Sequence, residues 1–192
     1  MKPVLRKQLM CRLELPSVAV ARNLGDYNLK NQFCAEFIVL ALTKQPPQEL
    51  SRPKKWKGEK VPLLSEVLAS MPQGKGIFIE IKCGPEIVQK LSEVIAQSKI
   101  PRKLITIISF NKEVVRAIKK HDPKLTVNWL SDLKPKKGED ISSKLAKAIQ
   151  TLKDIKADGL GAKAVDSLAA KLGSTLKQHG LGFHVWTVDA PA

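Results

Sequence analysis

The chain has 192 residues, 43% of them hydrophobic and 27% charged, which is the stock of a folded globular protein rather than a disordered one. Lys and Arg number 33 against 18 Asp and Glu, a formal net charge of +15. That excess is spread over the whole length, and five Phe, three Trp and one Tyr are few for base stacking, so a nucleic-acid partner is not expected.

One domain is the default for this length, at roughly 100–200 residues per domain. No stretch approaches the roughly 20 consecutive apolar residues that a membrane span needs. The segment from Met1 to Leu13 is basic but has no apolar core, so no secretory signal is read and a cytoplasmic location is expected. Cys11, Cys34 and Cys83 are far apart, with no Cys-x-x-Cys, which excludes a zinc knuckle and a disulfide scaffold. The densest basic clusters are Arg52-Pro53-Lys54-Lys55-Trp56-Lys57 and Lys134-Pro135-Lys136-Lys137, both with the composition of solvated loops.

Residues 1–60 carry no clear period. Within them Ser17 to Ala21 and Glu36 to Leu42 are strand-like, while Gln45-Pro46-Pro47 and Arg52 to Lys55 read as loop. Beyond residue 61, short apolar runs alternate with helical patterns. Ile77-Phe78-Ile79-Glu80-Ile81-Lys82 is a β-branched run between glycines and Gly84-Pro85, hence a strand. Glu86 to Ser98 sets Ile87, Val88, Leu91, Val94 and Ile95 at helical spacing. A strand from Leu104 to Phe110 precedes a helix to about Lys120, with Asn111 as its N-cap. Leu125 to Leu130 is strand-like, and Ser142 to Leu152 is helical with Leu145, Ala148, Ile149 and Leu152 on one face. A short strand around Ala157 to Gly161 follows, then a helix from about Asp166 to Gln178 closed by His179-Gly180, and a last strand from Phe183 to Val188.

Five strands separated by four helices predict an α/β protein with a parallel sheet, either doubly wound or a (β/α)8 barrel. No Gly-x-Gly-x-x-Gly or Walker loop follows any strand, which counts against dinucleotide and P-loop versions. Alternate strand side chains share a face, so Phe78, Glu80 and Lys82 point one way and Ile77, Ile79 and Ile81 the other. A carboxylate and an ammonium facing a barrel interior, at the strand end where such barrels bind ligands, mark a candidate site.

Four pieces then occur in a telling order: Trp56-Lys57-Gly58-Glu59-Lys60-Val61-Pro62-Leu63-Leu64-Ser65-Glu66-Val67-Leu68, Ile79-Glu80-Ile81-Lys82, Ser109-Phe110, and Trp186-Thr187-Val188-Asp189. Together they resemble the glycerophosphodiester phosphodiesterase family over about residues 56–192, leaving residues 1–55 as a poorly matching segment. The resemblance implies a TIM (β/α)8 barrel, here incomplete: the first strands are unrecognisable and the last is missing after Ala192. It implies metal-dependent hydrolysis of a small-molecule glycerophosphodiester to glycerol 3-phosphate and an alcohol, with Mg²⁺ or Ca²⁺ as cofactor and a histidine pair as acid and base. By the same resemblance Glu80 is a metal ligand, Lys82 is the catalytic lysine beside the phosphate, and Trp186 walls the substrate pocket. Ser109 and Phe110 are expected to pack and to end a strand.

The departures lie upstream. Residues 1–56 contain no histidine, so the family's His-Arg-Gly and His-Asp are absent there, as is its Glu-x-Asp. His121-Asp122 falls between a helix and a strand, on the wrong barrel face, and His179 sits at a helix end. His184 alternates with Trp186 and so points inward one step deeper. The chain is thus expected to be inactive as it stands, the alternative being a non-catalytic basic α/β module that binds anionic ligands, either nucleic acid or anionic lipid headgroups.

Overall fold

The computed structural model describes the strands at residues 9–13, 17–24 and 37–43, and residues 63–133, 140–163 and 166–186. The chain divides into two compact units, Met1–Ile107 and Ile108–Ala192.

In the first unit, β1 (Leu9–Leu13), β2 (Ser17–Leu24) and β3 (Phe37–Thr43) pair antiparallel in sequence, and β3 then pairs parallel with β4 (Ile77–Ile81). The strands expected at 17–21 and 36–42 are present, and β1 is an addition to the sequence reading. Only residues 14–16 join β1 to β2, far fewer than the dozen or so that a parallel crossover needs, so this pair can only be a hairpin. The loops read at 45–47 and 52–55 and the basic cluster from Arg52 to Lys57 lie outside the described residues, as does Trp56 to Pro62.

Helix α1 (Leu64–Ala69) buries Leu64, Val67 and Leu68, and its first turn is closed by Glu66, whose Oε2 accepts from Leu63 N at 2.6 Å. Within β4 both faces are covered: Ile77 and Ile79 are fully buried, and Phe78 is 6% exposed. That is the two-sided burial of a strand inside a parallel sheet. Where a helix is expected from Glu86, the chain first makes a 3-10 turn, Pro85–Ile87, and only then α2 (Val88–Gln97). Pro85 supplies the fixed φ of a first helical position, and Glu86 Oε1 accepts from Gly84 N at 3.2 Å. Val88, Leu91, Val94 and Ile95 are buried as their spacing requires. Cys83 is a buried cysteine, 7% exposed.

β5 (Ile105–Ser109) carries the boundary between the units. In the second unit, α3 (Lys112–His121) starts at the expected cap: Asn111 Oδ1 accepts from Glu113 N at 2.9 Å. Three strands follow in parallel register, β6 (Thr126–Ser131), β7 (Gly159–Lys163) and β8 (Gly182–Trp186). Between them run α4 (Ile141–Asp154) and α5 (Asp166–Gln178). Asp140 caps α4, accepting from Ser142 N and Ser143 N, both at 3.1 Å. Gly180 ends α5 at φ +69°, where the missing Cβ removes the steric penalty.

β7 begins two residues later than expected. Asp158 is held in the preceding turn, where its carboxylate accepts from Val127 N at 2.7 Å and from Lys119 Nζ at 2.9 and 3.0 Å. The cluster Lys134 to Lys137 and the residues from Thr187 onward lie outside the described residues.

Candidate functional site

In the first unit the site is the C-terminal end of β4. Glu80 stands in register with Ala41 of β3, and the chain leaves the strand just before Lys82. Their side chains meet, Glu80 Oε2 to Lys82 Nζ at 3.6 Å, with Glu80 14% and Lys82 49% exposed. The expected shared face is therefore realised. The carboxylate is withdrawn into the protein while the ammonium reaches solvent, which avoids the cost of several kcal/mol per ion for full burial. Such a pair offers an oxygen ligand for a hard cation and a positive charge for a phosphate oxygen. No group of three His, Cys, Asp or Glu side chains able to hold a metal exists among the described residues. One carboxylate does not make a Mg²⁺ or Ca²⁺ site, because these ions take about six oxygens.

In the second unit the functional face is set by register. Asn128, Gly159 and Gly182 lie side by side on β6, β7 and β8; Leu130, Gly161 and His184 form the next row, and Lys163 with Trp186 the next. The opposite face packs on helix, since a methyl on Gly173 of α5 would meet Phe183 Cδ1 at 3.4 Å. Trp186 and His184, alternating with Phe183, thus point away from α5.

Trp186 leans over Gly161, where an added methyl would stand 3.7 Å from its Cδ1, and meets the Phe110 ring edge to face, with centroids 5.8 Å apart at 78°. Phe110 remains 51% exposed, while its carbonyl accepts from Trp129 Nε1 at 3.1 Å. Lys112 Nζ sits 4.9 Å from the Trp129 ring centroid. Ser109 is fully buried, and its Oγ accepts from Asn111 N at 3.1 Å. It packs and ends β5, as expected, and the bond from Asn111 N is an addition. Phe110 does more than end a strand: it is a positioned aromatic beside Trp186.

Two buried donors, Asn128 Nδ2 and Trp186 Nε1, find no hydrogen-bond partner among the described residues. The strand-like spacing of both was legible, but nothing in the sequence marks an unpaired donor. His184 is still reached by solvent, yet the protein crowded around its ring pushes its pKa below the ordinary 6.5. The other two histidines stand apart. His121 is the exposed last residue of α3, and His179 lies beyond α5 beside a groove of about 430 Å³ lined by Leu145, Ile149 and Thr175.

Strands alternating with helices, with polar and aromatic groups gathered at strand C-terminal ends, define an α/β barrel type of protein. The chain belongs to the glycerophosphoryl diester phosphodiesterase family, whose profile matches residues 35–192 and so takes in β3 as well as the motifs from Trp56 onward. Its fold is shared with solved structures. A glycerophosphodiester phosphodiesterase from Parabacteroides distasonis is 20% identical at a TM-score of 0.55, covering 91% of this chain and 66% of its own. A phosphodiesterase from Oleispira antarctica, solved in complex with the product sn-glycerol-3-phosphate, is 20% identical at 0.58, covering 89% and 68%. A third, described as a putative glycerophosphodiester phosphodiesterase from Galdieria sulphuraria, is 15% identical at 0.52, covering 87% and 66%. The chain thus spans just under two thirds of the Parabacteroides and Galdieria proteins. No curated protein sequence matches it significantly. No helix among the described residues is long and apolar enough to cross a membrane.

Proposed function

We propose that this chain is a glycerophosphodiester phosphodiesterase barrel that keeps the means to meet a small glycerophosphodiester but holds, in residues 1–56, no histidine to supply the proton transfers that cleave it. The observation that carries this reading is the Glu80–Lys82 pair at the end of β4, 3.6 Å apart, with the carboxylate sheltered and the ammonium half exposed.

Each residue then has a role. Glu80 supplies one oxygen of the divalent-metal set that the family uses. Lys82 offsets negative charge on the phosphoryl oxygens, which grows as the leaving group departs. Trp186 lays an apolar ring against the glycerol carbons, and its unpaired Nε1–H can donate to a hydroxyl or phosphoryl oxygen. The sn-glycerol-3-phosphate held by the Oleispira relative is the ligand expected here. General acid and base help is worth about 10²–10⁴-fold per group, and residues 1–56 hold no histidine to give it.

The test is a graft. Replacing residues 1–56 with a family-type segment carrying the two histidines and Glu-x-Asp is expected to give turnover of glycerophosphocholine that is lost in Glu80→Gln. Turnover by the graft that survives Glu80→Gln would remove Glu80 from the metal set.

A further inference from the structure

The strands of the second unit begin level with one another: Gly159 opens β7 and pairs with Gly182, the first residue of β8, and with Asn128, near the start of β6. The segments that lead into them, residues 119–124, 153–158 and 177–180, therefore meet at one end of the sheet. They hold six lysines against three aspartates. Each aspartate is already engaged. Asp158 holds Lys119 Nζ at 2.9 and 3.0 Å, Asp154 Oδ1 accepts from Gln150 Nε2 at 2.8 Å, and Asp122 Oδ1 accepts from Lys124 N at 3.2 Å. Lys120, Lys124, Lys153, Lys156 and Lys177 are exposed, and of the six lysines only Lys119 is held in an ion pair among the described residues.

Lys120, Lys153 and Lys177 stand in the last turns of α3, α4 and α5, where a cation also suits the helix dipole. Lys124 and Lys156 come after the helices, so the dipole does not account for them. Lys156 moreover stands at φ 57°, in the left-handed region that favours glycine, so the turn itself gains nothing from its side chain.

We propose that this end of the second unit docks on an anionic phospholipid surface, with Lys120, Lys124, Lys153, Lys156 and Lys177 toward the headgroups. Cations brought to one level by strand register fit a flat sheet of negative charge, whereas a nucleic-acid duplex is gripped along a line of phosphates. The three segments also contain no Phe, Tyr or Trp to stack on a base. The inference goes beyond the phosphodiester reading: it rests on the charge of this face and holds whether or not the chain cleaves a diester. Docked in this way, the unit turns the C-terminal ends of β6 to β8, with Trp186, toward water.

The test is co-sedimentation of the full chain with phosphatidylcholine vesicles, with and without phosphatidylserine. Binding is expected only where phosphatidylserine is present, and it weakens as salt is added. A lysine near such a surface is worth about fivefold in partitioning, so combining Lys120→Gln, Lys124→Gln, Lys156→Gln and Lys177→Gln is expected to weaken binding by about 100-fold or more. Removing the same charge with Lys134→Gln, Lys136→Gln, Lys137→Gln and Lys147→Gln is expected to cost no more than about tenfold, because charges far from the contact are screened. Lys156→Gly, which relieves the left-handed backbone and keeps the fold, is expected to lose about fivefold by itself. No binding to the phosphatidylserine vesicles would overturn the proposal. So would equal losses in the two fourfold variants, which would show a response to net charge alone. Tighter binding to a DNA duplex at the same salt, lost in the first fourfold variant, would give this face to nucleic acid and overturn it too. Should that variant fail to fold, Lys156→Gly decides alone, and unchanged vesicle binding would overturn the proposal.

Discussion

Lys119 and Asp158, 39 residues apart, tie the end of α3 to the turn before β7: Lys119 Nζ donates to both carboxylate oxygens, at 3.0 and 2.9 Å, and to the carbonyls of Pro123 and Leu125 at 2.8 and 3.1 Å. The Lys119 side chain is 9% exposed and that of Asp158 41%. Asp158 is also woven into the sheet, its Oδ2 accepting from Val127 N and its carbonyl from Gly182 N. The arrangement joins three strands and a helix at the N-terminal ends of the strands. Asp158→Ala is expected to cost roughly 1–3 kcal/mol, below the 3–5 of a fully buried pair because one partner is partly solvated. Asp158→Asn, which can still accept from Val127 N, is expected to cost less. Urea melts of the two variants check the order.

A second stability effect sits at the end of α4. Lys156 adopts φ 57°, while Lys156 N bonds Lys153 O at 3.1 Å and Ala157 N bonds Leu152 O at 2.9 Å, the two closing bonds of a Schellman turn. Glycine is the residue this position favours, and a side chain there costs about 1–2 kcal/mol. Lys156→Gly is expected to raise stability by about 1 kcal/mol, after the greater freedom of glycine in the unfolded chain is subtracted. A lower urea midpoint would contradict this.

The two facing glycines differ sharply. Gly159→Ala would drive a methyl to 2.6 Å from Gly182 O, a backbone atom that cannot step aside, so a loss of about 3 kcal/mol or more is expected. The readout is the urea midpoint of Gly159→Ala beside that of Gly182→Ala, and equal values would contradict the register.

His184 gives a pH dependence with a definite sign. Its folded pKa lies below the ordinary 6.5, so the unfolded chain takes up the proton first as pH falls. The stability linked to the neutral ring is present above pH 6.5 and is lost as pH drops from there through the lower folded value. Melting temperatures from pH 8 to pH 5 are expected to fall over this window, and less so in His184→Gln. Identical curves for the two chains would contradict it.

Much of this was legible because it follows from local rules. Alternation along Ile77 to Lys82 places Glu80 and Lys82 together, Asn111 announces the start of α3, and Gly180 the end of α5. β1 has no period to betray it, since a hairpin partner 3 residues away defines it more than its own residues do. The start of β7 was misjudged because Asp158 answers to Lys119 and Val127, contacts that no sequence window contains. The placements of Phe110 and Asn128 were hidden for the same reason: an edge-to-face ring at Trp186 and an unpaired amide over Gly159 arise only once strands are in register.

On the proposed reading Glu80 and Lys82 face the phosphate, while residues 1–56 bring no histidine to move the protons. Incubating the unmodified chain with glycerophosphocholine in the presence of Mg²⁺ or Ca²⁺, and following release of glycerol 3-phosphate, tests it most directly. Release at no more than the background rate is expected, with or without metal. Metal-dependent release that disappears in Glu80→Gln would contradict it, and would show that residues other than the missing histidines move the protons.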